Sequence, residues 1–240
     1  MDYLDMLTRL GVSSAHPGGF SATLSQLQRF PLPAGSRVLE VGCGTGRTAC
    51  HLAALGMNVT GLDIRPEMLA KAGHRAAHQG VDVHFVAGSI TELPFEEGSF
   101  DVILAESVTN FASIPEALRE YNRVLSPGGL LYDRELILSA ALPREAYEQL
   151  AGFFGFGGLL GEDGWREELR LAGFGAVQVW DRLPFGRPPG EDLTEHPDPH
   201  QLMDHGAILD AAVWQTSIAH DELIETHQAY LAHALFAARK

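Results

Sequence analysis

Cysteine is almost missing from this chain. The two that occur, Cys43 and Cys50, fall within one short segment, so no disulfide framework organises the fold. Basic residues are also scarce, 17 against 31 acidic ones, for a formal net charge of −14. Such a surface repels a polyanion rather than steering it, and the Lys and Arg present are scattered, which argues against DNA or RNA as a partner. No apolar run approaches the ~18 residues needed to cross a bilayer, and the opening MDYLDMLTRL lacks the basic-then-apolar order of a secretory signal. The expectation is a cytoplasmic protein without membrane association. What remains is ordinary: 45% hydrophobic and 20% charged residues over 240 positions, enough to bury a full core.

The first 35 residues read as an N-terminal helical cap. Two short helices, Asp2 to Leu10 and Phe20 to Phe30, flank the turn-rich Ser13-Ser14-Ala15-His16-Pro17-Gly18-Gly19, and the cap looks mobile. From residue 36 onward, short apolar runs alternate with amphipathic ones, the signature of βαβ units and a mostly parallel sheet. The strand runs are Arg37 to Val41, Asn58 to Leu62, Val81 to Val86, Phe100 to Ala105 and Gly129 to Leu138. Helical patterns lie at Thr45 to Leu55, Pro66 to His78 and Ile114 to Leu125; Pro66 and Pro115 sit at helix starts, where a missing N–H costs nothing. Ser126-Pro127-Gly128-Gly129 turns the chain into the fifth strand. Further helices are expected at Arg144 to Phe153 and Asp163 to Ala172, then a strand at Ala176 to Trp180. Residues Leu183 to Pro199 read as a surface excursion, followed by helical character from Gln201 to about Tyr230, the whole forming an insertion at about 183–230. The ending from His233 fits a last strand, although the same residues would also prolong the helix.

The segment Val38-Leu39-Glu40-Val41-Gly42-Cys43-Gly44-Thr45-Gly46 sets an apolar strand before three glycines at alternate positions, then a helix. Glycine admits φ > 0 and lets a ligand approach the main chain without meeting a Cβ. In a doubly wound sheet this crossover lies at the carboxyl ends of the strands, where ligands bind. A dinucleotide fingerprint, Gly-x-Gly-x-x-Gly, would need its third glycine at 47, where Arg47 stands. Asp63 ends the second strand, 21 positions after Gly42, and a carboxylate there suits the ribose hydroxyls of an adenosine. That residue alone does not separate a nicotinamide cofactor from S-adenosylmethionine.

The wider constellation resembles the class I S-adenosylmethionine-dependent methyltransferases, in their small-molecule, ubiquinone/menaquinone-methyltransferase-like branch. The resemblance rests on Glu40 to Gly46, on Leu62-Asp63-Ile64 followed by Met68-Leu69, and on Gly88-Ser89-Ile90 with Leu93-Pro94-Phe95 and Ser99-Phe100-Asp101. Arg123-Val124-Leu125 ahead of Ser126 to Gly129 completes it, over roughly residues 36–138. It implies an α/β, Rossmann-like, seven-stranded mostly parallel sheet with the final strand antiparallel and helices on both faces. It also implies S-adenosyl-L-methionine as cofactor. Gly42, Gly44 and Gly46, in the motif with Glu40, Cys43 and Thr45, would line the methionine part, and Asp63 would hold the ribose. Ile64 and Met68 would cover the adenine, with Ile90 on its other face; Ser89, where many members carry Asp, would give a weakened or water-mediated contact. Glu106 and Ser107 would border the sulfonium.

Methyl transfer is an in-line displacement that needs alignment and a dry pocket more than a dedicated base. No catalytic residue is therefore assigned. If the acceptor loses a proton, the candidates in order are Glu106, His16, Asp133 and Glu135. The acceptor is expected to be a small molecule; Ala105-Glu106-Ser107-Val108 lacks the Pro-Pro-aromatic motif of enzymes that methylate exocyclic amines of bases. Eleven histidines occur without metal-site spacing, so no metal is expected. An NAD(P)-dependent oxidoreductase and a non-catalytic S-adenosylmethionine-binding protein stand as alternatives.

Overall fold

The computed structural model describes residues 1–185 and 195–240; the stretch 186–194 of the expected excursion lies outside the described residues. Seven strands form one sheet in the order β3-β2-β1-β4-β5-β7-β6. They are β1 (Arg37–Val41), β2 (Asn58–Asp63), β3 (His84–Ala87), β4 (Phe100–Glu106), β5 (Leu125–Leu138), β6 (Gln178–Pro184) and β7 (Leu231–Arg239). β1 to β5 pair in parallel, and β7 runs antiparallel between β5 and β6, as the resemblance implied.

Alternate residues of the central strands serve the two faces. Val38, Val102, Leu104, Tyr132 and Leu235 pack with Ala49 and Leu52 of α3 (Arg47–Ala54) and with Leu27 of α2 (Gly19–Arg29). Leu39, Val41, Ile103, Ala105 and Leu131 face Leu118 and Tyr121 of α5 (Ile114–Val124) and Trp165 of α7 (Glu162–Leu171). The β1 to β2 connection is α3, and α4 (Pro66–Gln79) leads to β3.

Several boundaries differ from expectation for identifiable reasons. The third strand starts at His84 rather than Val81, because Gly80 takes the left-handed conformation and the Val81 N–H donates to the Ala76 carbonyl, finishing α4. The turn at Ser126 to Gly129 is a bulge inside β5: Phe100 pairs with Leu125 and Val102 with Leu130. β6 spans Gln178–Pro184 instead of Ala176 to Trp180, and as an edge strand it tolerates its proline. The last strand is a strand, β7, not a helix extension. Helical character after Gln201 is confined mainly to α8 (Ala211–His227), which Asp210 caps by accepting from the Ala212 N–H.

The cap joins a second core instead of standing apart. Tyr3 and Met6 of α1 (Tyr3–Leu10) pack with Leu150 and Phe154 of α6 (Arg144–Phe154), Val213 of α8 and Leu136 of β5. Basic side chains on and beside α3 and α4 then fasten both flanking segments. Arg65 binds Asp5 at 2.7 Å, and Lys71 reaches the Thr8 and Leu202 carbonyls at 2.7 and 2.9 Å and Asp204 at 2.6 Å. Arg47 donates to the His196 carbonyl at 2.7 Å. Arg75 forms a two-pronged bridge to Asp198 at 2.7 and 2.6 Å with both side chains buried. Burial alone would raise the Asp198 pKa, but hydrogen bonds from Arg75 and Ser13 win and hold it at about 2.

Removing one partner of a buried ion pair strands the other. Asp198→Asn should therefore lower unfolding free energy by about 3–5 kcal/mol, while Arg75→Met with Asp198→Leu should cost less than either single change. Urea unfolding of Asp198→Asn, the double variant and its two single variants checks this ordering.

Candidate functional site

The site grows from the way β1 ends. Beyond Val41 the backbone turns through Gly42, Gly44 and Gly46 at φ 60°, 53° and 74°, all left-handed. The three glycines are needed for different reasons. A Cβ on Gly42 would stand 2.3 Å from a Val108 methyl, and one on Gly46 would stand 2.9 Å from the Ala72 Cβ, so both are demanded by packing. A Cβ on Gly44 would meet nothing within 4 Å. That position faces open space, a cradle that a side chain would fill.

Asp63, the last residue of β2, closes the loop. One carboxylate oxygen accepts the Gly44 N–H and the other the Arg65 N–H, both at 2.8 Å. Burial raises its pKa, and these backbone donors oppose the rise. Around it, Met68 and Ile90 are buried and Ile64 is 67% exposed. The Ser89 hydroxyl turns to Thr91 Oγ1 at 2.8 Å. Cys43 is buried, its sulfur facing Gly61. Thr45 faces α4: its carbonyl accepts Arg75 Nε at 2.8 Å and its hydroxyl accepts Arg75 Nη2 at 3.2 Å.

Three carboxylates converge here. Glu40 is buried, its Oε2 has no hydrogen-bond partner, and burial first, then the charges of Glu106 and Asp63, push its pKa well up. Glu106, ending β4, accepts Thr23 Oγ1 from α2 at 2.6 Å and Thr48 Oγ1 from α3 at 3.0 Å. His16 Nε2 lies 3.8 Å from Glu106 and 3.4 Å from the Thr23 hydroxyl. Ser107 follows with φ 59°, an uncommon value for a residue with a side chain.

The four proton-acceptor candidates thus separate. Glu106 and His16 come together, whereas Asp133 and Glu135 sit fully buried under the turn after β4. Asp133 accepts the Thr109 hydroxyl at 2.9 Å, and Glu135 Oε1 accepts the Val108 and Thr109 N–H groups at 2.7 Å each. Both carboxyls brace the turn after β4 from within the core. Sequence reasoning missed Thr23, Thr48 and Arg75. Their partners lie 83, 58 and 123 positions away, and only their polar character at helix positions marked them.

Residues 39–133 match the methyltransferase domain family. Over 238 residues the chain is 34% identical to the uncharacterized methyltransferase YodH of Bacillus subtilis, covering 99% of each. It is 29% identical to the 27-O-demethylrifamycin SV methyltransferase of Amycolatopsis mediterranei, covering 99% of this chain and 94% of that one. Its fold is that of the Haemonchus contortus phosphoethanolamine N-methyltransferase 2 in complex with S-adenosyl-L-methionine, at a TM-score of 0.76 and 22% identity; 99% of this chain is covered and 57% of the longer nematode chain. The chain belongs to the class I S-adenosylmethionine-dependent methyltransferases. Its cofactor is S-adenosylmethionine, which sets aside the nicotinamide alternative. The residues fit that group, with an open cradle at Gly44 and an unpartnered buried carboxylate oxygen on Glu40 for a cation. Among the described residues no group of His, Cys, Asp or Glu could hold a metal ion, and no helix is long and apolar enough to cross a membrane.

Gly44→Val should stay folded, losing roughly 1–2 kcal/mol to left-handed strain, and should lose S-adenosylhomocysteine binding. Gly42→Ala, forced against Val108, should instead lose stability first; calorimetry paired with thermal unfolding separates the two. A second expectation concerns Glu135, whose pKa burial pushes from 4.5 to about 7 while the turn's N–H groups oppose the rise. The native state binds the extra proton between those values, so the contribution of Glu135 to stability is full below 4.5 and is lost as pH rises to about 7. Unfolding measured across that window should show a flatter slope in Glu135→Gln.

Proposed function

We propose that this enzyme methylates a small molecule, with the cofactor held by the loop from Glu40 to Gly46 and by Asp63. The observation that carries this reading is the bond from the Gly44 N–H to Asp63 beside the open cradle at Gly44. Asp63 keeps lone pairs for ribose hydroxyls while fixing the loop along which the methionine part lies. Glu40 faces the ammonium end, and Ile64, Met68, Ser89 and Ile90 frame the adenine. Glu106 and Ser107 border the sulfonium. When bound, S-adenosylmethionine supplies an electrophilic methyl group on that sulfonium.

The chain's own contribution is alignment and exclusion of water. Arg65, just past the end of β2, and Lys71 hold α1 in place, and α8 packs against α1 with its capping Asp210 bound to Arg9. A recess of about 190 Å³ lined by Leu4, Phe111, Phe153 and Phe154 lies beside the turn that follows Ser107. It suits a small acceptor with an apolar body. For an acceptor that loses a proton, His16 backed by Glu106 is the receiving pair, since the two lie 3.8 Å apart at the end of β4. Net acidity disfavours a polyanionic acceptor. Two of the proteins it resembles are named for a demethylrifamycin and for phosphoethanolamine, both small molecules.

Asp63→Ala should weaken S-adenosylhomocysteine binding about tenfold or more, given ~1.5–3 kcal/mol for hydrogen bonds to a charged group. Isothermal calorimetry on parent and variant measures it, and equal affinities would remove Asp63 from the site.

A further inference from the structure

The turn from Ser107 to Asn110 has an unusual foundation. A single carboxylate oxygen, Glu135 Oε1, takes the N–H groups of Val108 and Thr109 at 2.7 Å each from within the core. Thr109 is fixed again through its hydroxyl, which bonds Asp133 at 2.9 Å and lies 3.2 Å from the Tyr121 hydroxyl. Asn110 anchors the far end by donating from Nδ2 to the Leu136 carbonyl at 2.8 Å. Above the turn, the Val108 side chain occupies the space beside Gly42. Ser107 holds a left-handed backbone without being glycine, and that conformation persists only where the surroundings over-determine it.

A fully buried carboxyl is costly, and apolar residues would fill the same volume more cheaply. What the carboxylate provides is three-way geometry, running from β5 through the turn to the glycine loop. We infer that Glu135 is a positioning residue for methyl transfer, setting Ser107 and Val108 against the glycine loop at the point where cofactor and acceptor meet. This rests on the proposed placement of the cofactor along that loop. Asp133 and Thr109 are its supports; the titratable groups bearing on Glu135 are Asp133 from β5 and Tyr121 from α5.

The test uses the full chain with S-adenosylhomocysteine as probe. Glu135→Leu removes the acceptor for both N–H groups, whereas Glu135→Gln keeps a carbonyl oxygen there. In Glu135→Leu, with folding verified by circular dichroism, affinity should fall about tenfold as the turn loses the acceptor for its two N–H groups, and exchange at residues 107–110 should quicken. Glu135→Gln should restore both to within about threefold of parent. A Glu135→Leu protein that is less stable yet binds at parental affinity would reduce Glu135 to a structural role and overturn the inference, as would a Glu135→Gln variant as impaired as Glu135→Leu. Should Glu135→Leu fail to fold, Thr109→Val with Asp133→Asn reads the same exchange and affinity, and unchanged values there would also overturn it. Asp63→Ala in parallel keeps the failures apart: if that variant binds as the parent does, the cofactor placement has failed rather than the role of Glu135.

Discussion

The loop between β1 and α3 must pass within van der Waals distance of two neighbours and leave a third side empty. Gly42 lies against Val108, Gly46 against Ala72, and between them Gly44 opens outward with its N–H held by Asp63. That close approach joins three crossovers of the sheet: the one after β1, the end of β2 and the turn after β4. A side chain at either packed glycine would push these segments apart. Because the first five strands are parallel, all these ends lie on one edge, the edge at which open α/β sheets bind ligands.

The distribution of charge follows from the same edge. The chain is strongly acidic, yet Arg47, Arg65, Lys71 and Arg75 cluster on and beside α3 and α4, all turned toward the flanking segments. Several of their bonds end on main-chain carbonyls, at Thr8 in the last turn of α1 and at His196 and Leu202 in irregular chain. Segments outside regular elements need partners for their backbone groups, and long cationic side chains supply them while their stems cover apolar surface. Arg75 does both jobs at once, holding Thr45 of the glycine loop on one side and Asp198 on the other. The cover is therefore mechanically linked to the loop beneath it.

Local patterns carried most of this architecture in readable form. The glycine spacing, Pro66, Pro115 and the apolar runs marked β1, β2, β4 and their helices, because each depends on residues close in sequence. The start of β3 was not legible, since Val81 looks like a strand residue but serves the cap of α4. The place of the cap was hidden too: Tyr3 meets Phe154 and His220, contacts that no periodicity records. Candidate residues could be named from their places at strand ends, but their partners could not. Asp133 and Glu135 look like accessible carboxylates in a strand, and only the turn folded over them makes them interior.

Burying Glu40, Asp63 and Glu106 together has a cost that the bare chain does not fully offset. Hydroxyls of Thr23 and Thr48 and two backbone N–H groups neutralise part of it, but Glu40 keeps an oxygen without a partner, and burial with its two acidic neighbours drives its pKa upward. On the proposed placement, the cofactor brings an ammonium and a sulfonium to this cluster, and each relieves like-charge repulsion in a low-dielectric setting. The product is a neutral thioether, so it recovers only the ammonium share. On that placement the acidic cluster is therefore offset more fully by the charged substrate than by the product, whose sulfur carries no charge.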